Sequence, residues 1–265
     1  MAAKIPAYSG NIIYSCEDEY GPIAVVEEAT SRTLHFGSTA RQSTMFLNNP
    51  IALALSYTRC MLAGLLFAPP PRSVLVLGLG GGSLPKFFLH RFDGCRVEVV
   101  EMRRCVAETA RDYFALSEHD RLTLHLQKAE EFLARDDVGP YDWVLVDLHN
   151  SDGMAPVLDQ ADFFARCQRL LRPGGVLVAN LWTGDRDEFL ARIGARLHRE
   201  FKEQVLFLPV ARKRNTVAFA FNFALPSLDV QPTRRHASEL QGQYDIEFVD
   251  FLWDILRYNR KLKKL

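Results

Sequence analysis

Cysteine is scarce in this chain and unpatterned. The residues Cys16, Cys60, Cys95, Cys105 and Cys167 are odd in number, scattered, and lack the CxxC spacing or paired histidines of a structural zinc site. This predicts a reduced protein without a disulfide framework or a metal centre. Net charge is also lacking: 32 basic and 32 acidic residues cancel to a formal charge of +0. That balance argues against a nucleic-acid partner, which needs an electropositive face. No apolar run reaches the length that spans a bilayer, and the first residues carry no basic segment followed by an apolar stretch. The expectation is a cytoplasmic protein with no membrane partner. Internal repeats and low-complexity tracts are absent too.

What is present is glycine where an apolar strand ends. Val74-Leu75-Val76-Leu77 runs directly into Gly78-Leu79-Gly80-Gly81-Gly82-Ser83, followed by a helical pattern. A strand buried on both faces favours continuous Val and Leu, and the turn after it needs residues without a Cβ so that main chain can bend and approach a ligand. This is the strand, loop and helix that open a Rossmann-like nucleotide site. About twenty residues on, Val97-Glu98-Val99-Val100 ends in Glu101, where such a site places its ribose-binding carboxylate. A third strand, Trp143-Val144-Leu145-Val146, ends in Asp147. In an open α/β sheet the ligand lies outside the carboxyl ends of the strands, so the three ends are expected to share one crevice.

Around this centre, strands are predicted at 73–77, 96–100, 122–126, 143–146 and 176–181, and helices at 84–91, 105–113, 129–134 and 161–171. The alternation predicts a doubly wound α/β sheet. Val205 to Val210 and Thr216 to Asn222 are expected to close it as an antiparallel hairpin, as in methyltransferase-like folds. Three short runs between Asn11 and Phe36 predict a small antiparallel β unit. Ile51 to Phe67 has helical spacing and stops at Pro69-Pro70-Pro71, and Ile246 to Leu262 forms a helical stripe with a basic end. The expected division is an N-terminal β unit over 1–50, a cofactor domain over 51–225, and a helical tail over 226–265 packed on that domain.

Gln42, Tyr57 in the helix before the glycine strand, Gly78-Leu79-Gly80-Gly81-Gly82-Ser83, Glu101, Tyr141-Asp142 leading to Asp147, and Gly174-Gly175-Val176-Leu177-Val178 together resemble the spermidine synthase (polyamine aminopropyltransferase) family, over roughly Gly37 to Asn222. The resemblance implies a class I methyltransferase-type sheet with a small N-terminal β domain, and a homodimer. It implies decarboxylated S-adenosylmethionine, or S-adenosylmethionine itself, as cofactor, with no metal and a small-molecule amine such as putrescine as acceptor. It assigns the catalytic base to Asp147 and cofactor contacts to Gln42, Gly78, Gly80, Gly81, Gly82, Glu101, Lys128 and Ala129. Amine contacts fall to Tyr57, Asn150 and Asp152. The chain departs from the family where an aspartate of the glycine loop is matched by Gly81 and an adenine-binding aspartate by Lys128. Further acids are matched by Asn150, Asn48 and Asn49. The residues leave three readings open: aminopropyl transfer, methyl transfer from S-adenosylmethionine, and a non-catalytic binding protein on the same fold.

Overall fold

The computed structural model describes residues 8–150, 153–182, 187–225 and 229–259. Strands β1 (Asn11–Asp18), β2 (Gly21–Glu27), β3 (Ser31–His35) and β4 (Ser43–Phe46) form a 4-stranded antiparallel sheet in the order β1-β2-β3-β4. Its tight first turn is made by Gly21, whose φ of 104° suits glycine, and by Asp18, whose carboxylate accepts the Tyr20 N–H at 2.9 Å. Three of the strands follow the alternation read from the sequence. The fourth is an addition: Ser43 and Thr44 are polar yet buried, and Thr44 pairs with Thr33 through their hydroxyls at 3.2 Å.

The predicted helix over Ile51 to Phe67 begins later than its spacing suggests. A turn closed by the Ala52 N–H on the Asn49 carbonyl occupies its start, and Arg59 reaches back to the carbonyls of Leu53 and Ala54. Helix α1 covers only Ser56–Met61, and a 3₁₀ turn over Leu62–Leu66 follows it.

The rest alternates as expected: β5 (Ser73–Leu77), α2 (Ser83–Arg91), β6 (Arg96–Glu101), α3 (Arg104–Tyr113), β7 (Leu122–Leu126), α4 (Ala129–Leu133) and β8 (Tyr141–Val146). A short ribbon, β9 (His149–Asn150) with β10 (Gly153–Met154), precedes α5 (Phe163–Arg169) and β11 (Leu171–Trp182). Leu171 thus starts a strand, pairing with Tyr141, and does not end the preceding helix as predicted. Helix α6 (Asp187–Glu200), the hairpin β12 (Val205–Pro209) and β13 (Asn215–Phe221), and helices α7 (Val230–Tyr244) and α8 (Phe248–Tyr258) complete the described chain. The basic residues at 260–264 lie outside it. No helix among the described residues is long and apolar enough to cross a membrane.

The large sheet has 7 strands in the order β12-β13-β11-β8-β5-β6-β7. Strands β11, β8, β5, β6 and β7 are parallel neighbours, and β13 and β12 join antiparallel. Because side chains alternate along a strand, the apolar run of β5 feeds two cores. Val74 and Val76 join Phe87, Phe88, Trp143 and Phe248 on one face, and Leu75 and Leu77 join Phe132, Phe163, Phe164 and Leu197 on the other. The outer strand β12 would expose unpaired main chain; Asn259, just past α8, meets it by bonding both the N–H and the carbonyl of Phe207, at 2.9 and 2.8 Å.

One buried charge stands out. Lys86 in α2 is 2% exposed, its ammonium meets the Phe114 carbonyl and Met45 Sδ, and burial pushes its pKa down to about 8. The unfolded chain binds this proton up to a higher pH than the folded one, so the penalty is present below pH 8 and fades as pH rises from about 8 toward 10.5. Relative to Lys86→Met, the wild type should gain up to about 3 kcal/mol of stability across that window. Guanidinium unfolding of both proteins at the two ends checks it. A constant difference would contradict the buried placement.

Candidate active site

The sheet register brings the candidate groups together. Leu77 pairs with Val100 on one side and with Val146 on the other, so the next residues, Gly78, Glu101 and Asp147, share one rung at the carboxyl end of the sheet. The main chain links all three. Gly78 N–H donates to the Val100 carbonyl at 2.9 Å, and Asp147 N–H donates to Leu77 at 2.9 Å. Gly78 takes φ 95°, and a Cβ there would lie 2.3 Å from the Asp147 carbonyl oxygen, so this crossing of chains excludes any side chain.

Glu101 holds the loop from the other side. Its carboxylate accepts the Leu79 N–H at 3.1 Å and the Arg103 N–H at 2.8 Å. Burial pushes this carboxyl above its ordinary value, against the pull of those two donors. Each oxygen keeps lone-pair capacity for another donor. Arg103 in turn clamps Asp18 of the small sheet, at 2.8 and 3.0 Å, and lies 4.7 Å from the centre of the Phe36 ring. The segment that carries Glu101 is thereby fixed to the N-terminal sheet.

Asp147 is the most heavily bonded carboxylate of the rung. Tyr57 OH donates to Oδ2 at 3.0 Å and Asn180 Nδ2 to Oδ1 at 2.8 Å, with His149 Nδ1 3.3 Å from Oδ1. Burial alone would raise its pKa, but His149, Asn180 and Tyr57 together hold it below the usual carboxylate range. Tyr57 moves the opposite way: burial, then the neighbouring Asp147 charge, push its phenol well above 10. The tyrosine is therefore a fixed donor, and the aspartate an anion. Chemically the cluster is a negative point with a shaped surround, suited to hold a nitrogen and take its proton.

The other predicted residues are distributed around this centre. Gln42 packs beside Gly80, its carbonyl 3.9 Å from where a Cβ would stand. Gly80 and Gly82 have φ of 54° and 70°. Gly81 has no such backbone requirement; a Cβ there would lie 2.8 Å from Ser43 Oγ and 2.9 Å from the Phe114 ring, so packing keeps it bare. Lys128 is exposed at the start of α4 and Ala129 is buried behind it. Asn150 lies in the ribbon β9, paired with Gly153, and Asp152 lies outside the described residues. Asn48 and Asn49 are exposed after β4. A hollow of about 460 Å³ lined by Phe67, Pro70, Asp142, Arg172 and Phe223 lies at the opposite ends of the strands and holds none of these groups.

Two members of the cluster were not among the predicted site residues. Asn180 interrupts the buried run Val176 to Leu181, and the pairing of Ala179 with Val146 sets it beside Asp147. Its own carbonyl accepts from Asn215 Nδ2 at 2.9 Å. A lone amide near the end of a buried apolar strand was the available signal. His149 stands two residues past Asp147 in an extended segment, a spacing that puts both on one side.

Residues 56–182 match the model of the spermine/spermidine synthase domain. The polyamine aminopropyltransferase of Chromobacterium violaceum is 32% identical over 241 residues, covering 90% of this chain and 91% of the relative. Among solved structures, a probable spermidine synthase from Corynebacterium glutamicum superposes with a TM-score of 0.73 at 19% identity, over 88% of each chain. A spermidine synthase in complex with the transition-state analogue AdoDATO gives 0.66 at 17% identity, over 95% of this chain and 87% of the other. The two superpositions show a shared fold with methyltransferase-like sheet topology, as the strand pattern predicts. The sequence relationship shows more: the chain belongs to the spermine/spermidine synthase family.

Proposed function

We propose that the protein transfers an aminopropyl group from decarboxylated S-adenosylmethionine to an amine such as putrescine. The observation that carries this reading is Asp147, held as an anion by Tyr57 and Asn180 on the same rung as the Glu101-tied glycine loop. The bare main chain at Gly78 and Gly80 fits a nucleoside donor, since a side chain at either would stand on Asp147 or face the Gln42–Ser43 segment. The sulfonium donor supplies a carbon attached to a neutral thioether leaving group. The residues supply the rest. Glu101 accepts from the ribose hydroxyls, Asp147 aligns the amine and receives its proton, and Tyr57 fixes the carboxylate. The amine nitrogen bonds to the carbon as the carbon–sulfur bond breaks, and methylthioadenosine leaves.

Support also comes from a spermidine synthase of the same fold solved in complex with the transition-state analogue AdoDATO. A homodimer and a cytoplasmic setting belong to the same proposal; the apolar side chains of Ile12 and Ile13, exposed on the outer strand β1, favour the former.

Calorimetric titration tests the donor assignment. Decarboxylated S-adenosylmethionine and methylthioadenosine should bind, and Glu101→Ala should weaken both about ten- to hundredfold by removing an anionic acceptor from two hydroxyls. Binding of S-adenosylmethionine alone would contradict the donor, and equal affinity in the variant would remove Glu101 from the site.

A further inference from the structure

The cluster holds one group that the reaction as described leaves idle. Successive side chains of an extended segment alternate, so Asp147 and His149 fall on one side of the strand end and Leu148 on the other. His149 Nδ1 is 3.3 Å from Asp147 Oδ1, while its Nε2 is buried with no hydrogen-bond partner among the described residues. This arrangement selects a tautomer. A nitrogen lone pair facing a carboxylate oxygen is repelled, so the hydrogen sits on Nδ1. The imidazole therefore donates from Nδ1 to Asp147.

The acceptor count then becomes informative. A carboxylate offers about four lone-pair positions. Tyr57 takes one on Oδ2, and Asn180 and His149 take both on Oδ1. One position remains, on Oδ2. Asn180 is braced by Asn215, so Oδ1 stays closed.

We propose that His149 is a positioning residue of the acceptor step: its Nδ1–H closes Oδ1 and leaves Oδ2 to a single amine N–H. The inference rests on the aminopropyl reading above.

The test compares the wild type with His149→Asn, whose amide nitrogen stands near the place of Nδ1, and with His149→Ala. The asparagine variant should keep kcat within about threefold, because it preserves the donor to Oδ1. The alanine variant should lose kcat at least about tenfold while KM for the donor stays flat, because Oδ1 is then open to the amine and the carboxylate no longer presents a single acceptor. An alanine variant with the wild-type kcat overturns the inference. A second readout needs no turnover: long-range ¹H–¹⁵N NMR of labelled imidazoles should show the Nδ1–H tautomer at His149, and the Nε2–H tautomer overturns the inference alone. Absence of any methylthioadenosine release by the wild type overturns the aminopropyl reading, and this inference with it.

Discussion

Replacing Asp147 by asparagine should lower kcat by about a hundred- to ten-thousandfold while donor affinity stays within a few-fold, because the exchange keeps the shape and removes the proposed base. The geometry makes the effect specific to the acceptor step. Asp147 meets Tyr57, Asn180 and His149, whereas the contacts assigned to the donor lie at Glu101 and the glycine loop. The new amide can keep its oxygen at Oδ1 for Asn180 and His149 and turn its nitrogen toward Tyr57, whose hydroxyl can accept. Single-turnover kinetics separates the chemical step from binding, and an unchanged rate would strip Asp147 of its role.

Gly78→Ala should cost more stability than any other alanine exchange in the loop, on the order of 3 kcal/mol or more. Two effects add there. The backbone φ of 95° disfavours any L side chain, and the new Cβ would stand 2.3 Å from the Asp147 carbonyl oxygen, a main-chain atom that no rotamer change can move. Gly174 provides the control. Its φ of 87° carries the same conformational strain, but nothing lies within 4 Å of its Cβ position, so Gly174→Ala should cost only about 1–2 kcal/mol. Guanidinium unfolding of the two variants reads the difference. Equal losses would mean that the β8 end does not cross the loop as described.

The sequence was most legible where burial and backbone geometry speak together. The run Val74 to Leu77 before its glycines has few alternatives to a central parallel strand, and Glu101 and Asp147 mark the ends of its neighbours on either side. Legibility failed where tertiary contacts replace local signal. Strand β4 begins with Ser43 and Thr44, which carry no strand signal of their own because their partners, Thr33 and Ser83, lie elsewhere in the chain. Helix α7 carries Pro232 in its first turn and few apolar residues, so the predicted helical tail has its stripe only from Ile246, yet Asp229 caps α7 and Tyr244 stacks on Phe92 with ring centres 5.4 Å apart. The site divides the same way. Tyr57 and Asp147, 90 residues apart, were each legible as site residues, but their hydrogen bond was not. Asn180 was hidden because its place beside Asp147 depends on the pairing of β11 with β8, which no local pattern states.

The central claim is that the rung of Gly78, Glu101 and Asp147 joins an aminopropyl donor to an amine. Incubating the protein with decarboxylated S-adenosylmethionine and putrescine, and following both products by mass spectrometry, tests it most directly. The account predicts spermidine and methylthioadenosine in equal amounts, both lost in Asp147→Asn. Release of neither product at saturating donor, or methyl transfer to putrescine in a parallel incubation with S-adenosylmethionine, would contradict it.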